Sequence, residues 1–231
     1  MRRPFFGGPR SGEPQLRADE YRLIRDLVSE RLGIWFGPEA RSSLERRLRE
    51  RLAVRGLGSF ADYYQLLKYS PHGAEEWDEA ADILTTHETY FFREDYQLRA
   101  FQQEVLPMLA TKSRRRVQVW SAGCSTGEEA YTIAMLILES KLFDPEWEVR
   151  VYGSDLSKKC IASARRGVYA EAALRTTSQE SRARWFVPVS AAAPGAGGYG
   201  VVPEARALCH FAQMNLLDEE RTHLVGRCDV I

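Results

Sequence analysis

The loop SAGCSTGEEAYT, residues 121–132, sets two glycines, Gly123 and Gly127, just ahead of a pair of carboxylates, Glu128 and Glu129. Glycine permits tight turning and close backbone approach to a ligand. A Walker-type phosphate loop needs a lysine after its second glycine, and a dinucleotide loop needs G-x-G-x-x-G. This loop has glutamates and G-x-x-x-G instead. The positive end of a helix attracts anions, so two carboxylates there repel a pyrophosphate and welcome a cationic group. Asp155, at the end of VRVYGSD, stands where α/β folds place a carboxylate that accepts hydrogen bonds from ribose hydroxyls. A ligand with a ribose, a positive charge and no phosphate fits both. S-adenosyl-L-methionine (SAM) is such a ligand, and the chemistry it implies is methyl transfer. The same residues have a plainer use. Ser125-x-x-Glu128 and Thr126-x-x-Glu129 are capping-box spacings that supply about 1 kcal/mol of helix stability with no ligand, and a strand-end Asp often caps a turn.

A second stretch, LTTHETYFFRED (residues 84–95), crowds hydroxyls, an imidazole, three aromatic rings and a guanidinium into a short span. It either folds over a ligand or starts an aromatic helix whose arginine is solvated.

These residues need two kinds of scaffold. From Ala18 to about Leu84 the chain reads as helices. Asp19 is a candidate N-cap, and Tyr21, Ile24, Leu27, Val28 and Leu32 recur at helical steps before Gly33. A second helix carries Leu44, Leu48 and Leu52 on one face. A third starts at Ser59 with Asp62 closing a capping-box-like turn and buries Tyr63, Leu66 and Leu67. A fourth holds Trp77, Ala80, Ala81 and Leu84.

From Arg116 the pattern alternates. VQVWSAG and VRVYGSD read as strands, EEAYTIAMLILESKLF and KKCIASARRGVY as helices. That order implies a parallel α/β sheet, because parallel strands need long crossovers. FVPVS and GYGVVPEA flank the Gly/Ala-rich AAAPGAGG and suggest a short antiparallel β insert at about residues 185–213. ALCHFAQMNLL and CDVI return to the main sheet. The expected organisation is a tail over 1–17, a small all-helical domain over 18–84, and a Rossmann-like domain over 85–231.

With 231 residues and a formal net charge of zero, no global field points to nucleic acid. No apolar run is long enough for a membrane span, and MRRPFFGGPRSGEPQ lacks a signal-peptide core. The four cysteines form no CxxC pair and the histidines are scattered, so free thiols, no zinc and a cytoplasmic location are expected.

The motifs LTTHETYFFRED, VWSAGCSTGEEAYTIAM, VYGSDLS with ARRGVY, and MNLLD, in this order, resemble the CheR-type chemotaxis protein methyltransferases. The resemblance covers residues 18–231. It implies a SAM-dependent enzyme that methylates receptor glutamates, leaving S-adenosylhomocysteine. It also implies that Thr89 and Arg93 reach SAM, with Arg93 partnering its carboxylate and acting in catalysis. Glu129, with Glu128, would bind its ammonium, Asp155 its ribose, and Asn215 and Leu216 its adenine. His87, at a position commonly Asn in the family, would be a further contact. Tyr90, Phe91 and Phe92 would anchor the segment. The arginines of RSSLERRLRERLAVR, among them Arg46, Arg47, Arg49 and Arg51, would present a basic face to the acidic helices of a chemoreceptor. The family continues past the strand matching CDVI with a Cys-Arg-Asn segment and a tyrosine near the transferring methyl. The sheet is therefore expected to be incomplete and turnover weak for a chain ending at Ile231. The rival reading is a SAM-binding or docking module without catalysis.

Overall fold

The computed structural model describes residues 14–190 and 198–231 in two compact units, one ending at Thr85 and the other beginning at Thr86. Most of the expected N-terminal tail and the Gly/Ala-rich loop lie outside the described residues.

The first unit is helical: α1 (Ala18–Leu32), α2 (Arg41–Arg55), α3 (Phe60–Tyr69) and α4 (Gly73–Leu84). Tyr21, Ile24, Val28, Leu44, Leu48, Leu52, Phe60, Tyr63, Leu67, Trp77, Ala80 and Leu84 are buried, following the helical period. Leu27 and Leu66 are only half-buried. The N-cap of α1 is Arg17 rather than Asp19, because Glu20 reaches back to the Arg17 N–H at 2.8 Å. Leu16 belongs to this unit and not to a tail, since its side chain is fully buried and its carbonyl accepts from Arg41 at 3.0 Å. Ser59 caps α3 by accepting from the Asp62 N–H at 3.1 Å, as expected.

The arginines of α2 do not form the free basic face expected of them. Arg51 is 11% exposed and clasps the fully buried Glu76 with two bonds of 2.8 Å, while Arg55 and the Tyr63 hydroxyl complete that carboxylate's shell. Burial opposes the charge on Glu76, but the hydrogen bonds from Arg51, Arg55 and Tyr63 outweigh it and hold the carboxyl below its ordinary range. Arg47 donates to the carbonyls of Ile83, Leu84 and Thr85, satisfying the end of α4. Arg49 pairs with Glu45 one turn earlier. Arg46 is exposed. A buried carboxylate and a bare helix end both need donors, and α2 supplies them.

The second unit begins with the segment 86–94. Then come α5 (Asp95–Ala100), a π-helical stretch (Phe101–Val105) and α6 (Leu106–Ala110). A parallel sheet follows, in the order β1 (Arg116–Ala122), β2 (Glu148–Asp155), β6 (Cys209–Gln213). Val230 forms a parallel bridge to Val119 on the other side of β1, so CDVI does return to the sheet. Helices α7 (Glu128–Ser140) and α8 (Lys158–Arg166) follow β1 and β2, and α10 (Pro203–Leu208) precedes β6. Val117, Val119 and Val151 of the sheet pack with Ala130, Tyr131, Ala134, Met135 and Ala205 in a continuous core.

A separate antiparallel sheet has the order β3 (Val168–Tyr169), β5 (Gly198–Val201), β4 (Phe186–Val189), with α9 (Gln179–Trp185) leading into β4. Two expectations change here. ARRGVY is not all helix, because Gly167 adopts φ 61° and ends α8, so Val168 and Tyr169 become a strand. The small sheet thus starts before residue 185 and its last strand ends at Val201 rather than near residue 213, while Cys209–Gln213 lies parallel to β2, so ALCHFAQMNLL returns to the main sheet as expected. The short helix α11 (Glu219–His223) follows β6.

Candidate functional site

The carboxyl ends of β1 and β2 meet at the loop 122–127. Gly127 has φ 96°, and a Cβ there would fall 2.8 Å from the Ala164 Cβ, so only glycine lets α7 start this close to α8. Gly127 is also the N-cap of α7, and neither expected capping box forms. Instead the Ser125 and Ser157 N–H groups each donate to one oxygen of Asp155, both at 2.8 Å, tying the loop to the end of β2.

Starting α7 at Glu128 separates the two glutamates. Glu129 is exposed, lines a cleft and accepts from the Ser121 hydroxyl at 2.6 Å. Glu128 is 3% exposed, accepts from the Thr126 hydroxyl at 2.6 Å and does not line the cleft. Burial raises its pKa against the opposing effect of the Thr126 hydrogen bond. Of the two glutamates expected at the ligand, Glu129 lines the cleft and Glu128 does not.

The cleft has a volume of about 470 Å³ and lies wholly in the second unit, within the roughly 300–1,000 Å³ common for small-molecule sites. Its lining comes from Thr89, Tyr90 and Arg93 of the segment 86–94 and from Gly123, Cys124, Ser125 and Glu129 of the β1–α7 turn. Burial, with the nearby Asp155 and Glu129 charges, pushes the Cys124 thiol far up, so it stays protonated.

The segment carrying Thr89 and Arg93 is held by Phe91. Its ring is fully buried and meets Tyr169 and Phe186 edge-on at 4.8 and 4.7 Å. Its N–H donates to the Ala173 carbonyl at 3.0 Å, and its carbonyl accepts from the Thr176 hydroxyl at 2.8 Å. Phe92 and Glu94 take φ of 56° and 59°, a backbone that non-glycine residues adopt only when their surroundings impose it. Of the three aromatics, Phe91 is buried in the core and Phe92 packs against it. Tyr90 faces the cleft and Phe92 is half-buried. Arg93 donates to the Glu88 carbonyl at 3.0 Å and reaches Glu94 at 3.4 Å.

His87 does not line the cleft. Its Nδ1 lies 3.1 Å from the Cys160 sulfur, which seats the ring against α8. His87, Asp155 and Cys160 bring one ligand-type atom each within 4.8 Å of one another, a cluster that spacing along the chain did not reveal. Asn215 and Leu216 follow β6, whose neighbour Met214 donates to the Asp155 carbonyl at 2.9 Å. They share the sheet's carboxyl edge with Asp155 without lining the cleft, and the Asn215 side chain accepts from the Leu217 N–H at 3.0 Å. Sequence reasoning missed Gln97, Leu98 and Thr132 as lining residues. Thr132 had a signal, one helical turn from Glu128.

Residues 19–85 match the model of the CheR methyltransferase all-alpha domain, and residues 87–231 that of the CheR methyltransferase SAM-binding domain. The chain belongs to the CheR methyltransferase family. It is similar to the probable chemotaxis protein methyltransferase of Rhizobium etli, 32% identical over 86% of this chain and 73% of that protein. The chemotaxis protein methyltransferase of Escherichia coli is 34% identical over 87% of this chain and 68% of its own length. Chemotaxis protein methyltransferase 2 of Pseudomonas aeruginosa is 32% identical over 99% and 77%. As a CheR methyltransferase, the protein is an enzyme with S-adenosyl-L-methionine as its cofactor. The cleft suits that group: Glu129 and Arg93 offer opposite charges to an amino-acid moiety, and no lysine lines it to favour a phosphate. Among the described residues no helix is long and apolar enough to cross a membrane.

Proposed function

We propose that this protein methylates glutamate side chains in the cytoplasmic helical region of a chemoreceptor, giving glutamate methyl esters. The observation that carries this reading is that Glu129 and Arg93, of opposite charge, line the same cleft, in a family whose named relatives are chemotaxis methyltransferases. Glu129 takes the ammonium of the cofactor, Arg93 its carboxylate, and Thr89 closes over it. Asp155, held by the loop amides, presents its remaining lone pairs to the ribose. Asn215 and Leu216 receive the adenine at the same sheet edge. His87 acts through Cys160, keeping the segment in place.

Bound SAM supplies a methyl group activated on a sulfonium. The acceptor carboxylate, with an ordinary pKa of about 4.3, is already ionised at neutral pH, so no strong general base is required. The protein must desolvate the acceptor and hold it within roughly 3–3.5 Å of the methyl carbon, in line with the bond that breaks. Arg93, lining the same cleft, also offsets the repulsion between the acceptor and Glu129. Docking through α2 falls mainly to Arg46, because Arg47 and Arg51 are committed inside the first unit.

The test is transfer of labelled methyl to a chemoreceptor cytoplasmic fragment, scored as base-labile ester, alongside calorimetric titration of S-adenosylhomocysteine and ATP. The expected result is binding of S-adenosylhomocysteine, none of ATP, and label on glutamate. Label retained after base treatment, or tighter binding of ATP, would overturn the proposal.

A further inference from the structure

A carboxylate approaching this cleft meets Glu129, and Arg93 is engaged by the cofactor, so a second cation at the mouth would favour its binding. Arg175 is placed for this. It follows the short turn 171–174, and its neighbours Ala173 and Thr176 hydrogen-bond the two sides of Phe91, fixing it relative to Thr89 and Arg93. Its guanidinium carbon sits 3.7 Å from the centroid of the Tyr90 ring, and Arg93 reaches the same ring at 5.8 Å. Tyr90 and Glu88 both line the cleft, so Arg175 stands at its rim.

A guanidinium lying on a ring face keeps its N–H edge available, in the fork that matches a carboxylate. Among the described residues that edge has weak partners: Glu88 at 3.5 Å, itself 73% exposed, and the Ala172 carbonyl at 3.2 Å. An exposed pair of this kind contributes little and exchanges readily for a better acceptor. The Arg175 side chain is 43% exposed, so a partner can reach it without rearrangement.

We propose that Arg175, stacked on Tyr90, binds the acceptor carboxylate at the cleft mouth, and that Glu88 holds this position until substrate displaces it. The assignment rests on the reading of the acceptor as a glutamate side chain. It is tested on the full chain, loaded with S-adenosylhomocysteine, by measuring affinity for a chemoreceptor helical fragment and for the same fragment with its target glutamates changed to glutamine. The unmutated chain is expected to prefer the glutamate fragment. Arg175→Ala should erase that preference, about tenfold, with S-adenosylhomocysteine affinity unchanged. Arg175→Lys should restore part of it, and Glu88→Gln should enlarge it by freeing Arg175. In turnover the loss should appear in KM more than in kcat. If the unmutated chain shows no preference, the glutamate reading fails and the assignment falls with it. If the preference exists and survives Arg175→Ala, or if cofactor affinity falls in parallel, Arg175 is not the acceptor site.

Discussion

Glu128 and Glu129 are adjacent in the chain, but one helical step turns their side chains about 100° apart. Glu129 opens to the cleft while Glu128 is buried. The two should therefore respond differently to neutralisation. Burial raises the folded-state pKa of Glu128, so the folded protein keeps that proton to higher pH than the unfolded chain. Its contribution to stability is full below the unfolded value, about 4.3, and is lost as pH rises through the folded value. Glu128→Gln should leave the melting temperature unchanged near pH 4 and raise it at pH 8; parallel calorimetric profiles for both proteins would sink this. Glu129→Gln should do the reverse, sparing stability and weakening S-adenosylhomocysteine by about tenfold, which isothermal titration can check. Both glutamates were legible in the sequence as ligands or caps. Which of them faces a ligand was not, because that depends on Gly127 at φ 96° starting the helix in place of Ser125 or Thr126.

Elements built on periodicity were the readable part. The four helices of the first unit, β1, β2, α7 and α8 follow apolar spacing that shows directly in the chain. The two-residue β3 hides in a helical pattern because its pairing partner lies far along the chain in β5, a non-local contact with no local mark. The basic look of α2 misled for a similar reason. A carboxylate on α4, Glu76, takes Arg51 and Arg55, and nothing around α2 announces it. Removing one partner from a buried pair of this kind costs about 3–5 kcal/mol. Arg51→Ala should accordingly lower the stability of the first unit by that order in urea unfolding; a loss below about 1 kcal/mol would show the pair behaves as a surface bridge. Phe91→Ala, which empties the space between Tyr169 and Phe186, should cost about 3–5 kcal/mol. It should also weaken S-adenosylhomocysteine, since the backbone carrying Thr89 and Arg93 loses its anchor. Unchanged cofactor affinity in a folded Phe91→Ala protein would separate the anchor from the site.

At the scale of the whole molecule, every residue lining the cleft belongs to the second unit. Arg51→Ala, however damaging to the first unit, should leave S-adenosylhomocysteine affinity within about twofold below the melting temperature, a difference smaller than the 1.4 kcal/mol of a tenfold change. A larger change in a calorimetric titration would mean that the first unit shapes the cleft. The small antiparallel sheet, by contrast, is wired to it. Phe186 of β4 and Tyr169 of β3 grip Phe91, two residues from both Thr89 and Arg93. Tilting that sheet therefore works as a lever with a very short arm. Whatever steadies its strands should quiet the cofactor's clasp as well, and slower amide exchange in Gly198–Val201 is where a filled cleft should announce itself at a distance.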